Sequence, residues 1–217
     1  MKTSIVLADD HGIVRDGLRL LLDEYGRFDV LASVANGLDA VRSVEEFQPA
    51  LAVFDVCMPD LNGILAAEQV SNRSPQTRVI ILSMYGDRAH VTQALRVGVR
   101  GYVLKESAGT ELIAAIDTVL SGQRYLSHKL MDMLVEDYVL QPQNGAQPQP
   151  RRPKLSPRER QILQFVAEGR SSANIGELLG LATSTVDTYR SRIMQKLEIN
   201  NSAGLIKFAI KHGLVQE

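Results

Sequence analysis

Short apolar runs alternate with helix-like segments through about the first 125 residues of the chain. Five runs have the length and the apolar content of buried strands: Ser4–Ala8, Val30–Val34, Leu51–Asp55, Val79–Ser83 and Gly101–Leu104. Between them, segments such as Gly12–Leu22 and Glu111–Leu120 carry apolar residues at the spacing of an amphipathic helix. Strands that alternate with helices predict a parallel sheet covered on both faces.

A helix and then a linker are predicted to follow this sheet. The pattern of Ser127–Leu140 predicts the helix, with Ser127 as a candidate N-cap. Four of the eight prolines lie between Pro142 and Pro153, in a glutamine-rich stretch without apolar periodicity. Such a composition indicates an extended, semi-rigid linker. We therefore assign residues 1–125 to a first domain, 126–153 to the helix and linker, and 154–217 to a second domain.

The pattern after the linker is helical throughout. Ser156-Pro157-Arg158-Glu159 combines a capping box with proline at the first helical position, and Gly169 is positioned to end that helix. Three more helices are predicted: Ser172–Leu179, Ser184–Leu197 and Ser202–His212. The turn Gly180–Ala182, with Thr183 as N-cap, joins the first two of these into a helix-turn-helix candidate.

Composition limits the class of protein. The hydrophobic fraction of 45% argues against global disorder. The single cysteine, Cys57, cannot form an internal disulfide, which fits a reducing compartment. The N-terminal apolar run is too short for a signal peptide, and no stretch approaches the roughly 20 apolar residues of a membrane span. We expect a cytoplasmic protein that does not bind a membrane.

The net charge of −1 hides an asymmetry between the two halves. Residues 151–217 contain 11 Lys and Arg against 6 Asp and Glu, a balance of +5. The remainder contains 13 basic and 19 acidic residues, a balance of −6. This distribution favours contact between the second domain and a polyanion.

Candidate chemistry lies where the predicted strands end. Asp9 and Asp10 follow the first strand, Asp55 ends the third, Ser83 ends the fourth and Lys105 follows the fifth. In an open parallel sheet, ligands bind at the carboxyl ends of the strands, so these side chains should converge. Crowded carboxylates need a counter-ion, and Mg²⁺ prefers oxygen ligands. A carboxylate held there can act as a nucleophile toward phosphorus, with the cation, an ammonium and a hydroxyl neutralising charge.

These motifs resemble the signature of the response regulator receiver domain over about residues 2–122. The residues that carry the resemblance are Ala8-Asp9-Asp10-His11, Asp55-Val56-Cys57-Met58-Pro59-Asp60-Leu61-Asn62-Gly63, Leu82-Ser83-Met84 and Gly101-Tyr102-Val103-Leu104-Lys105. The resemblance implies a flavodoxin-like, doubly wound, five-stranded parallel fold. It implies that Asp55 is the phosphoacceptor and that Mg²⁺ is bound by Asp10, Asp55 and the backbone carbonyl of Cys57. Asp9 would act largely through water.

The same resemblance assigns a switch pair, in which the hydroxyl of Ser83 moves toward the phosphoryl group and the ring of Tyr102 changes its exposure. Met84 departs from the pattern, because many receivers have a small residue beside the phosphoryl site. His11 and His90 we interpret as surface or helix-start histidines rather than ligands.

The second helix of the helix-turn-helix candidate is amphipathic. Its apolar side chains should pack inward, and its opposite face is polar. The candidate DNA contacts are Thr185, Asp187, Thr188, Arg190, Ser191, Arg192, Gln195 and Lys196. Among them, Arg190 lies nearer the rim, where it can reach a phosphate, and Asp187 can accept a hydrogen bond from cytosine. Periodicity alone slightly favours an ordinary solvated helix surface over a DNA-binding face.

The second domain resembles the LuxR-type helix-turn-helix over about residues 154–215. The resemblance rests on Leu155–Leu163, Ala167–Gly169 and Thr185–Leu197. A receiver with this output is similar to the NarL/FixJ group of two-component regulators. That similarity implies a cognate histidine kinase, Mg²⁺-dependent phosphorylation of Asp55, a phosphorylated homodimer and binding to double-stranded promoter DNA. Asp187 occupies a position that is often basic in the group, and Ser171–Asn174 is less basic than in many relatives.

Two other functions remain open at this point. A metal-dependent phosphatase would also use Asp55 as nucleophile, but the second acid it needs two residues later is replaced by Cys57. The second alternative is a DNA-binding protein that uses the receiver only as a dimerisation scaffold.

Overall fold

A computed structural model describes residues 2–84, 86, 88–140, 155–212 and 214–215, except for the side chains of residues 89, 136–140 and 211. The chain divides into two compact units, Met1–Gln141 and Pro142–Glu217. The first unit holds a six-stranded parallel sheet in the order β2-β1-β3-β4-β5-β6. The strands are β1 (Thr3–Ala8), β2 (Phe28–Val34), β3 (Leu51–Asp55), β4 (Arg78–Ser83), β5 (Gly101–Leu104) and β6 (Tyr125–Leu126).

Helices cover both faces of this sheet and produce two separate apolar clusters. The helices are α1 (Gly12–Glu24), α2 (Gly37–Phe47), α3 (Gly63–Arg73), α4 (Arg88–Arg96), α5 (Ala108–Leu120) and α6 (His128–Leu140). One cluster joins α1 and α5 to the sheet, and the other joins α2, α3, α4 and α6 to the opposite face. The doubly wound parallel architecture predicted from the sequence is confirmed, with its order reversing between β1 and β3.

The prediction of five strands was wrong by one, because β6 extends the sheet beyond β5. Tyr125 and Leu126 pair with Gly101 and Tyr102 in parallel register. The backbone N–H of Ser127 continues the ladder by donating to the carbonyl of Tyr102 at 2.9 Å. A strand of two residues is too short to show an alternating pattern, so the sequence could not reveal it.

Ser127 also differs from its expected role. The residue directly precedes α6, and its carbonyl accepts the N–H groups of Leu130 and Met131. Its hydroxyl, however, accepts the backbone N–H of Leu104 at 3.0 Å, so this side chain ties the helix start to β5. Ser127 is fully buried by this contact.

The first unit therefore extends past the predicted boundary at residue 125. The reason is packing: Leu130 of α6 is buried in the cluster on the α4 side, and Met133 and Leu134 pack against the same cluster. The predicted linker between Pro142 and Pro153 lies outside the described residues.

The second unit contains α7 (Pro157–Ala167), α8 (Ser172–Leu179), α9 (Thr183–Leu197) and α10 (Ser202–Lys211). The predicted capping box is present: Ser156 accepts the N–H of Glu159, and the Glu159 carboxylate accepts the N–H of Ser156. Gly169 follows α7 at a φ of 80°, a backbone conformation that glycine favours. The predicted four-helix arrangement is thus confirmed.

One local prediction in the helix-turn-helix needs correction. Thr183 is not the N-cap of α9: Ala182 has the extended backbone of a cap, and its carbonyl accepts the N–H groups of Thr185 and Val186. In the preceding helix, Gly176 is required by the turn, because a Cβ there would lie 2.6 Å from the carbonyl oxygen of Leu181.

Within the part of the chain that the structure describes, none of the helices combines the length and apolar character that crossing a bilayer requires.

Candidate functional site: an acidic pocket and a recognition helix

The carboxyl edge of the sheet gathers acidic side chains around one lysine. Asp9 follows β1, Asp55 is the last residue of β3, and Lys105 follows β5. The Nζ atom of Lys105 lies 2.8 Å from Oδ2 of Asp9 and 2.8 Å from Oδ2 of Asp55. The convergence arises because parallel strands end at the same edge, and because β1 and β3 are neighbours where the strand order reverses.

These three groups are almost completely buried. The side chains of Lys105, Asp9 and Asp55 are 7%, 2% and 3% exposed. Among the described residues, the Oδ2 atoms of Asp9 and Asp55 have no hydrogen-bond donor apart from this shared ammonium. Burial disfavours the charged Lys105, but its hydrogen bonds to Asp55 and Asp9 outweigh burial and raise the pKa of the ammonium.

The Asp55 carboxyl group is held in a state that resists ionisation. Burial raises its pKa to about 6, and the negative charges of Asp9 and Asp10 act in the same direction, while Lys105 opposes them. One ammonium is therefore insufficient to neutralise the pocket, which retains an affinity for further positive charge.

Asp10 and His11 complete the pocket on its exposed side. Asp10 is 33% exposed, and its Oδ1 atom lies 2.7 Å from Nδ1 of His11. The same nitrogen lies 3.2 Å from Oδ1 of Asp9, which also accepts the backbone N–H of His11 at 2.8 Å. His11 is at the start of α1, as expected, but no sequence pattern indicated that its ring contacts both acids.

The pocket fits a hard divalent cation. One potential ligand atom from each of Asp9, Asp10, His11 and Asp55 lies within 4.8 Å of the others. Carboxylate oxygens predominate in this set, and they are the ligands that Mg²⁺ prefers. The buried Oδ2 atoms and the raised pKa of Asp55 both indicate a deficit of positive charge that such an ion would correct.

The other predicted pocket residues lie around this centre. Ser83 ends β4 one position beyond the residue that pairs with Asp55, and it is fully buried. Tyr102 is fully buried on β5, and Cys57 is buried just after β3. The side chain of Met84 is 68% exposed. His90, expected at the surface or at a helix start, is buried near the start of α4.

The raised pKa of Asp55 predicts how stability depends on pH in the absence of divalent cations. The folded protein keeps this proton up to about pH 6, whereas the ordinary value for the unfolded chain is 3.8. Since the folded state binds more protons in this window, the free energy of unfolding should fall as pH rises through it. The loss should reach roughly 3 kcal/mol above the window.

Thermal unfolding with a chelator present, scanned across pH, measures this effect. Asp55→Asn removes the titrating group, so the variant should match the wild type near the acid end and exceed it at neutral pH. A difference between the two proteins that does not change with pH would contradict the prediction.

In the second unit, α9 presents a polar face to solvent. Val186 and Ile193 are buried, whereas the side chains on the other side of the helix are exposed. The exposed candidates are Thr185, Asp187, Thr188, Ser191, Arg192, Gln195 and Lys196. Thr185, Thr188 and Arg192 line a shallow depression together with Ser184 and Tyr189.

Two basic candidates on α9 are engaged within the unit. Lys196 donates to the Glu159 carboxylate at 2.8 Å, and Glu159 is buried at the start of α7. This ion pair lowers the pKa of Glu159 against the effect of burial, so Lys196 serves to join α9 to α7. Its assignment as a DNA contact stays a prediction, since the Lys196 side chain is still 44% exposed. Arg190 donates to the hydroxyl of Ser172 at 3.0 Å and thereby links α9 to α8.

Both units match known protein families. Residues 5–117 match the family described as response regulator receiver domain. Residues 153–209 match the family described as bacterial regulatory proteins, luxR family.

Full-length relatives share both units. The chain is 34% identical over 216 residues to the transcriptional regulatory protein MctR of Rhizobium johnstonii, covering 100% of this chain and 97% of that protein. It is also 34% identical over 215 residues to the oxygen regulatory protein NreC of Staphylococcus epidermidis, covering 98% and 99%. A crystal structure of a LuxR-family two-component response regulator from an Aurantimonas species is similar with a TM-score of 0.61 and 32% identity, covering 64% of this chain and 99% of that one.

Proposed function

This chain belongs to the response regulators with a luxR-family output domain, and we propose that phosphorylation of Asp55 controls its binding to promoter DNA. The relatives named above are transcriptional or oxygen regulatory proteins, and this chain is a transcriptional regulator of the same kind. The observation that carries the proposal is the pair of buried carboxylates that share the Lys105 ammonium at the carboxyl edge of the sheet.

The pocket residues have separate parts in the proposed phosphoryl transfer. An oxygen of Asp55 attacks the phosphorus of a phosphohistidine on the partner kinase; an O–P bond forms, the N–P bond breaks, and the imidazole leaves. Asp10, Asp55 and the Cys57 carbonyl would hold Mg²⁺, with Asp9 acting through water, and the ion would supply charge neutralisation on the phosphoryl oxygens. Lys105 lies 2.8 Å from Asp55 and would pair with the new phosphoryl group.

Two residues near the pocket are proposed to change conformation when Asp55 is phosphorylated. Ser83 ends β4, the strand next to β3, and Asp55 ends β3; Tyr102 is packed in the apolar cluster that includes residues of α4 and α6. A hydroxyl drawn toward the phosphoryl group leaves space for the ring of Tyr102 to change its packing. The phosphoryl group must bind one of the two arrangements better than the other for this shift to occur.

The DNA-binding surface is proposed to be the exposed face of α9. Hydroxyl and amide side chains on that face can bond to base edges or phosphates, and Arg192 adds a positive charge. Binding as a homodimer would place two such helices in successive major grooves about 34 Å apart. The positive balance of residues 151–217 favours association with DNA.

Phosphorylation of the full chain by a small phosphodonor with Mg²⁺ tests the proposal. The wild type should gain one phosphoryl group by mass, change its oligomer size, and bind selected promoter DNA at least about tenfold more tightly, which corresponds to about 1.4 kcal/mol. Asp55→Asn should show none of the three responses. Asp29→Asn, which removes an exposed carboxylate at the amino end of β2, should behave as the wild type.

Two results would contradict the proposal. Equal DNA binding and oligomer size in the wild type and in Asp55→Asn would favour a receiver that serves only as a scaffold. Sustained hydrolysis of small phosphate esters, with many turnovers per chain, would favour a phosphatase.

A further inference from the structure

His11 makes three polar contacts to the acidic pocket although it lies outside the set of proposed ligands. Its backbone N–H donates to Oδ1 of Asp9 at 2.8 Å, and its Nδ1 atom lies 3.2 Å from that same oxygen. Nδ1 also lies 2.7 Å from Oδ1 of Asp10. The imidazole therefore bridges the two adjacent acids.

The tautomer of the ring follows from its neighbours. Ionised carboxylate oxygens only accept hydrogen bonds, so a nitrogen placed between two of them must carry the hydrogen. A protonated Nδ1 has no lone pair for a metal ion, so this nitrogen is a donor to the acids rather than a ligand atom.

The contacts determine which carboxylate oxygens are available. His11 engages Oδ1 of Asp9 and Oδ1 of Asp10, while Oδ2 of Asp9 faces Lys105. Arg15 fixes the same turn from the backbone side, by donating to the carbonyl oxygen of Asp9 at 2.6 Å. Both oxygens of Asp9 are thus engaged, one by His11 and one by Lys105, and one oxygen of Asp10 is held by His11.

Without such a donor, the two acids would tend to separate. Adjacent carboxylates repel each other, and Asp10 is exposed enough to turn toward water. Holding them in place before an ion arrives removes part of the free energy needed to order them. Residues that hold metal ligands through hydrogen bonds commonly change metal affinity by about 10- to 100-fold.

We propose that His11 is a positioning residue that holds Asp9 and Asp10 in the orientation required for divalent-cation binding. This inference rests on the proposed function, because it assumes that the acidic pocket is the cation site. It assigns His11 a role in affinity for the ion and none as a ligand.

Mn²⁺ is a suitable probe, because the paramagnetic resonance signal of the free ion reports the bound fraction without any phosphoryl transfer. In the full chain, His11→Ala should weaken Mn²⁺ binding by about tenfold or more. His11→Asn should recover part of the affinity, since its side-chain amide can still donate a hydrogen bond. His128→Ala, which alters an 82%-exposed histidine at the start of α6, should bind as the wild type does.

Loss of structure is separable from loss of positioning. The side chain of His11 is 50% exposed and makes no capping bond to α1, so His11→Ala should keep the thermal midpoint of the metal-free wild type. Electron spin echo spectra of bound Mn²⁺ should show no coupling to an imidazole nitrogen in the wild type.

The outcomes distinguish this inference from the proposed function. Equal Mn²⁺ affinity in the wild type and His11→Ala, or a nitrogen coupling that His11→Ala abolishes, would overturn the positioning role and leave phosphorylation of Asp55 unaffected. Conversely, weakened Mn²⁺ binding in His11→Ala, in a chain that never accepts a phosphoryl group, would support His11 and contradict the proposed function.

Discussion

Replacing Gly63 with alanine should destabilise the first unit by more than about 3 kcal/mol. The new methyl group would overlap the backbone of Asp55, the proposed site of phosphorylation. A Cβ at Gly63 would lie 1.8 Å from the carbonyl oxygen of Asp55 and 2.8 Å from its carbonyl carbon. The obstructing atoms belong to the main chain, so no side-chain rotation relieves the overlap. Gly63 is also fixed by its N–H, which donates to the carbonyl of Val56 at 2.8 Å.

Hydrogen exchange of the β3 and β4 amides measures this effect within the first unit of the intact chain. Gly109→Ala is the matched control, because Gly109 lies in α5 with open space around its would-be Cβ. That substitution should stabilise the unit by about 0.5 to 1 kcal/mol through helix propensity. Similar protection of the β3 and β4 amides in Gly63→Ala and Gly109→Ala would contradict the prediction. It would show that the backbone of Asp55 can move away to accommodate a methyl group at position 63.

Replacing Lys105 with methionine should lower the stability of the cation-free protein at neutral pH by about 3 to 5 kcal/mol. The substitution removes the ammonium that the two buried carboxylates share and leaves both without this counter-charge. Lys129→Met breaks an ion pair whose side chains are 73% and 58% exposed, and should change stability by less than about 1 kcal/mol. Hydrogen exchange of the β3 amides, measured as a function of denaturant concentration, reports the change in stability of both variants.

Two further measurements identify charge as the cause of the Lys105 effect. Adding Asp55→Asn to Lys105→Met removes one of the two carboxylates that lost their counter-ion, and it should recover much of the lost stability. Millimolar Mg²⁺ should also stabilise Lys105→Met more than it stabilises the wild type, since the ion replaces the missing positive charge. If neither change restores stability, the loss comes from packing of the lysine side chain and the electrostatic account is wrong.

The sheet and most helices were predictable because their patterns are long enough to be periodic. β3 and β5 have the predicted bounds, and α8 does as well. The capping box of α7 is a local motif whose two hydrogen bonds form within four residues. In contrast, β6 has only two residues, and it forms because β5 offers an edge with which it can pair. The sequence pattern around Tyr125 and Leu126 does not indicate that pairing.

The pocket was partly predictable for a topological reason. Polar residues at the ends of parallel strands must lie at one edge, so Asp9, Asp55 and Lys105 could be brought together without coordinates. The contacts of His11 depend on the side-chain conformation of one residue at a helix start, and helix periodicity carries no information about it.

Periodicity along α9 does not reveal all the contacts of its side chains. Lys196 is 44% exposed, as a candidate DNA contact should be, and its ammonium also pairs with Glu159, which lies 37 residues earlier in the chain. A pattern along one helix cannot show which distant residue its side chains meet. Ion pairs between helices therefore have to be found from the fold.

The hydroxyl of Ser127 gives the acidic pocket a short covalent and hydrogen-bonded route to the start of α6. It accepts a hydrogen bond from the amide of Leu104, whose next neighbour in the chain is the lysine that holds the acidic pocket. One peptide linkage and one hydrogen bond thus separate that lysine from the residue that directly precedes α6. A displacement of the lysine would therefore reach the start of α6 without crossing the apolar interior.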